Sequence, residues 1–167
     1  MSPPSQGGDA QRAEGEGSMK FEVLTIISLA AVFAISCSGK TPESIGVKDG
    51  KLTACPDKPN CVSSMTEDKF HFIEPFTYTG SSGKAKNVLL ESVKSQDRTK
   101  IVSDSENYIH AEYTSRIFRF VDDVEFLIDD KTKTVHVRSA SRLGYSDMGV
   151  NGKRIESLRA VFNEKMK

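Results

Sequence analysis

Residues 108–139 read YIHAEYTSRIFRFVDDVEFLIDDKTKTVHVRS, and the alternation inside this stretch decides the fold class. Successive side chains of a strand point to opposite faces, so Ile109, Ala111 and Tyr113 share one side. Val124, Phe126 and Ile128 do the same, and Val135 with Val137 after them. The stretch therefore predicts strands over Tyr108 to Thr114, Ile117 to Phe120 with Val124 to Ile128, and Thr134 to Ser139, with one side buried. Asp122 and Asp123 are adjacent on such a strand and point apart, which disfavours a paired-carboxylate site for acid–base work or a cation.

Working outward, Lys100 to Ser103 adds a fourth strand after the polar Gln96-Asp97-Arg98. Before it, Ser81-Ser82-Gly83 caps a helix from Lys84 to about Ser95, whose apolar stripe is Ala85, Val88, Leu89 and Val93. The aromatic run Phe70 to Tyr78 reads as a further strand, with Pro75 marking an edge or a bend. Downstream, a helix from about Gly152 to Met166 places Ile155, Leu158 and Phe162 on one face, with Asn151 as its N-cap. The order β-α-β-β-β-β-α predicts an α+β domain. Its antiparallel sheet has about five strands with two helices on one face, a topology like that of TATA-binding-protein or helix-grip folds. Such a topology carries no function by itself.

Upstream of residue 55 the chain changes character. Val23 to Ile35 is a thirteen-residue apolar run broken by Thr25 and Ser28, preceded by Lys20 and followed by Ala34-Ile35-Ser36-Cys37. Spanning a bilayer takes about 20 apolar residues, so residues 19–36 read as a lipoprotein signal peptide. Cys37 then carries the lipid, of the palmitate kind, at the mature N-terminus. Ala34 stands where a lipobox usually has Leu, and Glu22 weakens the positive end. An uncleaved anchor, ordinary secretion and a buried helix remain the alternatives. Residues 37–54, with Gly39, Pro42, Gly46 and Gly50, read as a tether, and 55–167 as the single folded domain. Residues 1–18 are polar and lack apolar periodicity, so they are expected to be disordered and to derive from an upstream start codon or an added leader.

Hydrophobic residues make up 37% of the chain and charged residues 28%, the balance of a globular domain. Beyond residue 36 there are 21 basic and 19 acidic residues. So small a surplus gives no field for a polyanion and argues against nucleic acid as a partner. With Cys37 lipidated, Cys55 and Cys61 remain, enclosing Pro56-Asp57-Lys58-Pro59-Asn60, and a disulfide is the leading reading in an oxidising compartment. Free thiols and half of a metal site are the alternatives, and no second pair at ligand spacing completes the latter.

Four segments carry a resemblance. CPDKPNCVSS at 55–64, DDVEF at 122–126, RSASRLGYSDMGVN at 138–151 and Arg154-Ile155-Glu156 resemble domain-of-unknown-function family 1499, over roughly residues 55–163. The resemblance implies a small domain found in bacteria, often beside signal or membrane segments, and in photosynthetic eukaryotes. It implies no established reaction.

The densest polar constellation is Arg138, Ser139, Ser141, Arg142, Asp147, Asn151 and Arg154, between the last strand and the last helix. Gly144 and Gly149 let that connection turn sharply. If the helix begins near Asn151, its amides and the arginines together suit a carboxylate or phosphate. The competing reading is a structural clamp in which Arg138 and Arg142 pair with Asp122, Asp123 or Asp147. Arg116 and Tyr145 are lesser candidates for either role. No base at triad spacing serves Ser63, Ser64, Ser139 or Ser141, and His71, His110 and His136 sit in strand-like stretches.

The leading expectation is a lipid-anchored lipoprotein of the bacterial cell envelope, on the periplasmic or outer-membrane face, acting as a non-catalytic binding module. Its partner is a small anionic or amphipathic ligand or another protein. A hydrolase using the Arg/Ser/Asp-rich turn is the first alternative and a structural envelope protein the second. No cofactor and no metal are expected.

Overall fold

In the computed structural model, which describes Met1 and residues 39–167, the alternating stretch forms the centre of a sheet. Two short strands come first, β1 (Val47–Lys48) and β2 (Lys51–Leu52). They are followed by β3 (Cys61–Ser63), β4 (Phe76–Thr77), helix α1 (Ser82–Lys94), β5 (Thr99–Asp104), β6 (Tyr108–Thr114), β7 (Val121–Asp129), β8 (Thr134–Ser141) and helix α2 (Val150–Met166). The main sheet runs β3-β8-β7-β6-β5, with β4 also on β8, six strands in all. Every strand pair is antiparallel. The α+β class, the antiparallel sheet and the two helices are thus as the sequence predicts, with one strand more than expected. The expected signal peptide at 19–36 and the lipid-bearing Cys37 lie outside the described residues. So does the polar head, Met1 apart. No helix among the described residues is long and apolar enough to cross a membrane.

Three expectations are corrected. Ile117 to Phe120 is a turn, closed by the Ser115 amide donating to the Phe120 carbonyl, and its side chains are exposed. Aromatic β-propensity there is not matched by any strand to pair with. Of Phe70 to Tyr78 only Phe76–Thr77 is strand, with a single bridge from Phe72 to Ser63, because Pro75 supplies no amide to a ladder. Finally, Asn151 is not the N-cap of α2: the cap is Gly149, in the left-handed region at φ 76°, and Asn151 is fully buried as the second residue of the helix.

Both helices lie on one face of the sheet, since their buried side chains join the strand side chains in one cluster. Ala85, Leu89 and Val93 of α1 and Ile155, Leu158 and Phe162 of α2 pack with Ile109, Ala111, Val124, Phe126, Val135 and Val137. Ser81 caps α1 by accepting from the Lys84 amide at 3.2 Å. Fully burying each large apolar side chain, such as Phe126 or Phe162, contributes about 1.5–3 kcal/mol. Arg159 of α2 donates to the Pro75 carbonyl and lies 4.6 Å from the Phe76 ring, tying the bend before β4 to the helix.

The opposite face is covered too. The stretch read as a tether holds the β1–β2 hairpin, whose turn residues Asp49 and Gly50 both have positive φ, 52° and 74°. Such a turn suits the twist of a two-residue hairpin, and Asp-Gly is its favoured dipeptide. β2 lies against β7 and β8, and Leu52 is buried. Ahead of the hairpin, the Gly46 amide donates to Glu125 Oε1 at 2.7 Å. Earlier still, the Gly39 carbonyl accepts from Arg142 Nη1 at 2.9 Å. Residues 39–52 thus form a strap over the helix-free side of the sheet. Cys55 and Cys61 are joined by a disulfide with Cα atoms 5.7 Å apart, which holds the intervening loop at the edge of β3.

Candidate functional site

Strand alternation divides the seven predicted site residues into two groups. Ser139 and Ser141 of β8 face the helices, where they meet Asn151 and Arg154 of α2. Arg138 projects to the strap side, as its neighbour in the chain must. Arg142, just past the end of β8, also reaches to that side. The structure therefore divides the single constellation expected from the sequence between the two faces of the sheet.

On the helix side, Asn151 Nδ2 donates to the Asn60 carbonyl and to Ser141 Oγ, each at 3.0 Å. Asn151 Oδ1 accepts from Ser139 Oγ and, at 2.6 Å, from Arg154 Nη1. Arg154 also donates to Asp122 Oδ2 and lies 4.9 Å from the Tyr113 ring. Asp147 accepts from the Gly149 and Asn151 amides at 2.9 and 2.7 Å. The chain's own carboxylate thus occupies the anion position at the start of α2.

On the strap side, Arg142 grips Asp123 with two bonds, Nε to Oδ2 at 2.8 Å and Nη2 to Oδ1 at 2.7 Å, and reaches Glu112 as well. His110 Nε2 lies 2.7 Å from Asp123 Oδ1. Burial alone would raise the Asp123 carboxyl, but the bonds from Arg142 and His110 outweigh it and hold the group below the usual carboxylate range. The Asp123 bond in turn raises the Arg142 guanidinium. On the same side a further pair joins Arg138 Nη1 to Glu125 Oε2 at 2.8 Å, both buried. Glu125 Oε1 also accepts from Tyr108 Oη at 2.8 Å. Burial first, and the Glu125 charge second, push the Tyr108 hydroxyl upward. Arg138 and Arg142 thus pair as the clamp reading expects, Arg142 with Asp123 and Arg138 with Glu125, a partner not foreseen.

The helix-side centre borders a groove of about 490 Å³ at the end of α1 and the start of α2. Tyr113, Asp122 and Arg154 line it together with Arg98, Val150 and Lys153. Tyr113 is 6% exposed, and its hydroxyl has no hydrogen-bond partner. Burial pushes that hydroxyl up to about 12, so it stays a donor. Sequence reading missed Tyr113, because on strand spacing it is simply the third apolar residue of β6. A larger cavity of about 640 Å³ lies beside the β7–β8 turn, with Asp129, Lys131 and His136 in its wall. None of its lining side chains holds a buried unpartnered polar atom.

Possible nucleophiles are bonded in ways that give them no strong base. Ser139 and Ser141 meet Asn151 and Arg154. Ser64 Oγ accepts from the Val137 amide at 2.9 Å, and its own proton is shared between two acceptors at the long limit, His136 Nδ1 and the Val137 carbonyl, each at 3.4 Å. His71 has both ring nitrogens engaged, Nδ1 with Asp68 at 2.6 Å and Nε2 with the Lys58 carbonyl at 3.0 Å. It pins the disulfide loop. Among the described residues no group of three His, Cys, Asp or Glu side chains is placed to hold a metal ion. Arg116 and Tyr145 are exposed and enter neither polar centre.

Compared with known proteins, residues 51–162 match the family model described as protein of unknown function, DUF1499. No curated protein gives a significant match.

Proposed function

We propose that this chain, which belongs to the DUF1499 family of proteins of unknown function, is a non-catalytic binding module held at a bacterial envelope membrane through Cys37. Its ligand is a small anionic or amphipathic molecule seated in the groove between the end of α1 and the start of α2. The observation that carries this reading is the buried, unpartnered hydroxyl of Tyr113 in a groove that also carries Lys153 and Arg98. A buried donor without an acceptor costs about 1–3 kcal/mol, and a ligand oxygen supplies the acceptor. Lys153 adds positive charge, Arg98 being paired with Asp97 of the same groove, while the Tyr113 ring and Val150 offer apolar surface. Arg154 is already committed to Asp122 and Asn151, so it shapes the floor and holds the ring rather than providing a free charge. The membrane part rests on the apolar run 23–35 and the small residues before Cys37.

The test compares native and denatured masses of the full chain extracted from a bacterial host, and follows its melting midpoint with monomeric dihexanoyl phosphatidate. The expected result is a retained mass or a raised midpoint in the wild type that is lost in Lys153→Glu. The absence of both effects in a folded wild-type protein would contradict the proposal.

A further inference from the structure

The turns at one end of the sheet carry large apolar side chains that the core does not use. In the β6–β7 turn Ile117 is 79% exposed and Phe118 68%, and the Phe118 and Phe120 rings stack with centroids 5.6 Å apart. The β8–α2 connection adds Leu143, Tyr145 and Met148, the last 89% exposed. These two segments are neighbours, because the Arg142 amide donates to the Val121 carbonyl at 3.1 Å. A solvated turn has no reason to gather so many apolar groups, and a patch of this kind marks a contact surface.

What covers it follows from where the strap starts. Gly39 sits against Arg142 and Leu143, since a Cβ built on it would lie 3.4 Å from the Leu143 side chain, and its carbonyl is held by Arg142. Cys37 is two residues upstream, so whatever its conformation its Cα lies within about 7 Å of that of Gly39. A lipid on Cys37 would therefore bring the bilayer to this end of the sheet. The charge fits as well. Residues 115–121, SRIFRFV, hold Arg116 and Arg119 and no acid, and Lys40 is exposed beside Gly39. The one carboxylate of the neighbouring turn, Asp147, is turned inward to the α2 amides.

We infer that this end of the domain is a membrane-contacting surface. Ile117, Phe118 and Phe120 enter the interfacial region of an anionic bilayer, Leu143 and Tyr145 flank them, and Arg116 and Arg119 meet lipid phosphates. The inference rests on the membrane-anchored reading above and adds to it an orientation: the strap is no spacer, and the domain stands directly on the lipid surface. Apolar Phe rings with an arginine rim suit this depth, because the arginine stems lie along apolar surface while their charged heads stay at the phosphates, and Tyr145 has an apolar body with a wet tip.

The chain contains no Trp, so Phe118→Trp gives a single fluorescent reporter at the tip, and Lys131→Trp gives one in the exposed β7–β8 turn at the opposite end of the strands. Each full-length protein is reconstituted into phosphatidylethanolamine–phosphatidylglycerol vesicles, with and without brominated acyl chains, and the mass at Cys37 is measured in the same preparation. The inference predicts blue-shifted emission, quenched by bromine, from Phe118→Trp and water-like, unquenched emission from Lys131→Trp. A lipidated, vesicle-bound protein whose Phe118→Trp emission stays water-like overturns the contact surface and leaves the anchor standing. An unmodified Cys37 on a protein that stays in solution overturns both. Emission from Phe118→Trp that is already blue-shifted without lipid, and increases with protein concentration, assigns the patch to a second copy of the chain and overturns the inference.

Discussion

β7 presents Asp122, Val124, Phe126 and Ile128 to the helices, and Val121, Asp123, Glu125 and Leu127 to the strap. All eight are buried. The two faces reach the same burial by different chemistry. On the helix side apolar groups interlock, with polar groups confined to the end where Asp122 meets Arg154. On the strap side two carboxylates are each matched with an arginine and further donors, and residues 39–52 close over them. The contrast shows that the charged residues of this sheet are largely spoken for by the fold. Two exceptions bear on the contrast: the Tyr113 hydroxyl, which is buried without a partner beside a groove, and Arg138 Nε, which is buried without one on the strap side.

The largest expected effect sharpens this comparison. Glu125→Ala leaves Arg138 buried without its counter-ion and should cost about 3–5 kcal/mol, read by urea unfolding. That is as much as the about 3–5 kcal/mol expected for Phe126→Ala on the other face. Replacing the pair together, Glu125→Leu with Arg138→Met, is expected to recover most of the loss, because no charge is then stranded. A Glu125→Ala loss below about 0.5 kcal/mol, the scale of a solvated surface position, breaks the comparison.

A smaller effect is expected at the polar end of the helix side. Asn151→Ala removes bonds to Ser139, Ser141, Arg154 and the Asn60 carbonyl. It should cost about 1–3 kcal/mol, measured in the same unfolding series. A neutral result would mean that this end is wet and that α2 is not held by it.

The smallest effect is one of pH. The folded Asp123 carboxyl lies below its ordinary value. Its contribution is therefore fully present above the unfolded value of about 3.9 and is lost as pH falls through the lower folded value. A series of melting midpoints through the acid range should fall steeply for the wild type and less steeply for Asp123→Asn. Parallel curves would remove Asp123 from the account.

How much of this was legible depends on whether the cause is local. β6 and β8 show themselves by period-two alternation of Ile109, Ala111, Tyr113 and of Val135, Val137, and α1 by Ser81 and its stripe. These are properties of a few neighbouring residues. The strap is a tertiary fact: Gly39, Pro42 and Gly46 have the composition of a linker, and only Asp49-Gly50 between Lys48 and Lys51 signals the hairpin. For the same reason Glu125 gave no sign of being the partner of Arg138. Asn151 resembled an N-cap because Asn favours that place, yet the helix begins earlier, and Asp147 from outside it accepts from the Gly149 and Asn151 amides. The division of Arg138 from Ser139 was available from alternation, by the rule that separates Asp122 from Asp123. The unpartnered hydroxyl of Tyr113 depends on everything around it and has no sequence signal.

The strap is the element on which both the buried charged face and the orientation at the membrane depend, and hydrogen exchange of the Gly46 amide in the full chain tests it most directly. If residues 39–52 are a built-in cover, that amide, donating to Glu125, should be protected to nearly the same degree as the amides of β7. Exchange at the rate of an unstructured peptide would show residues 39–52 to be a loose tether, and would contradict the account.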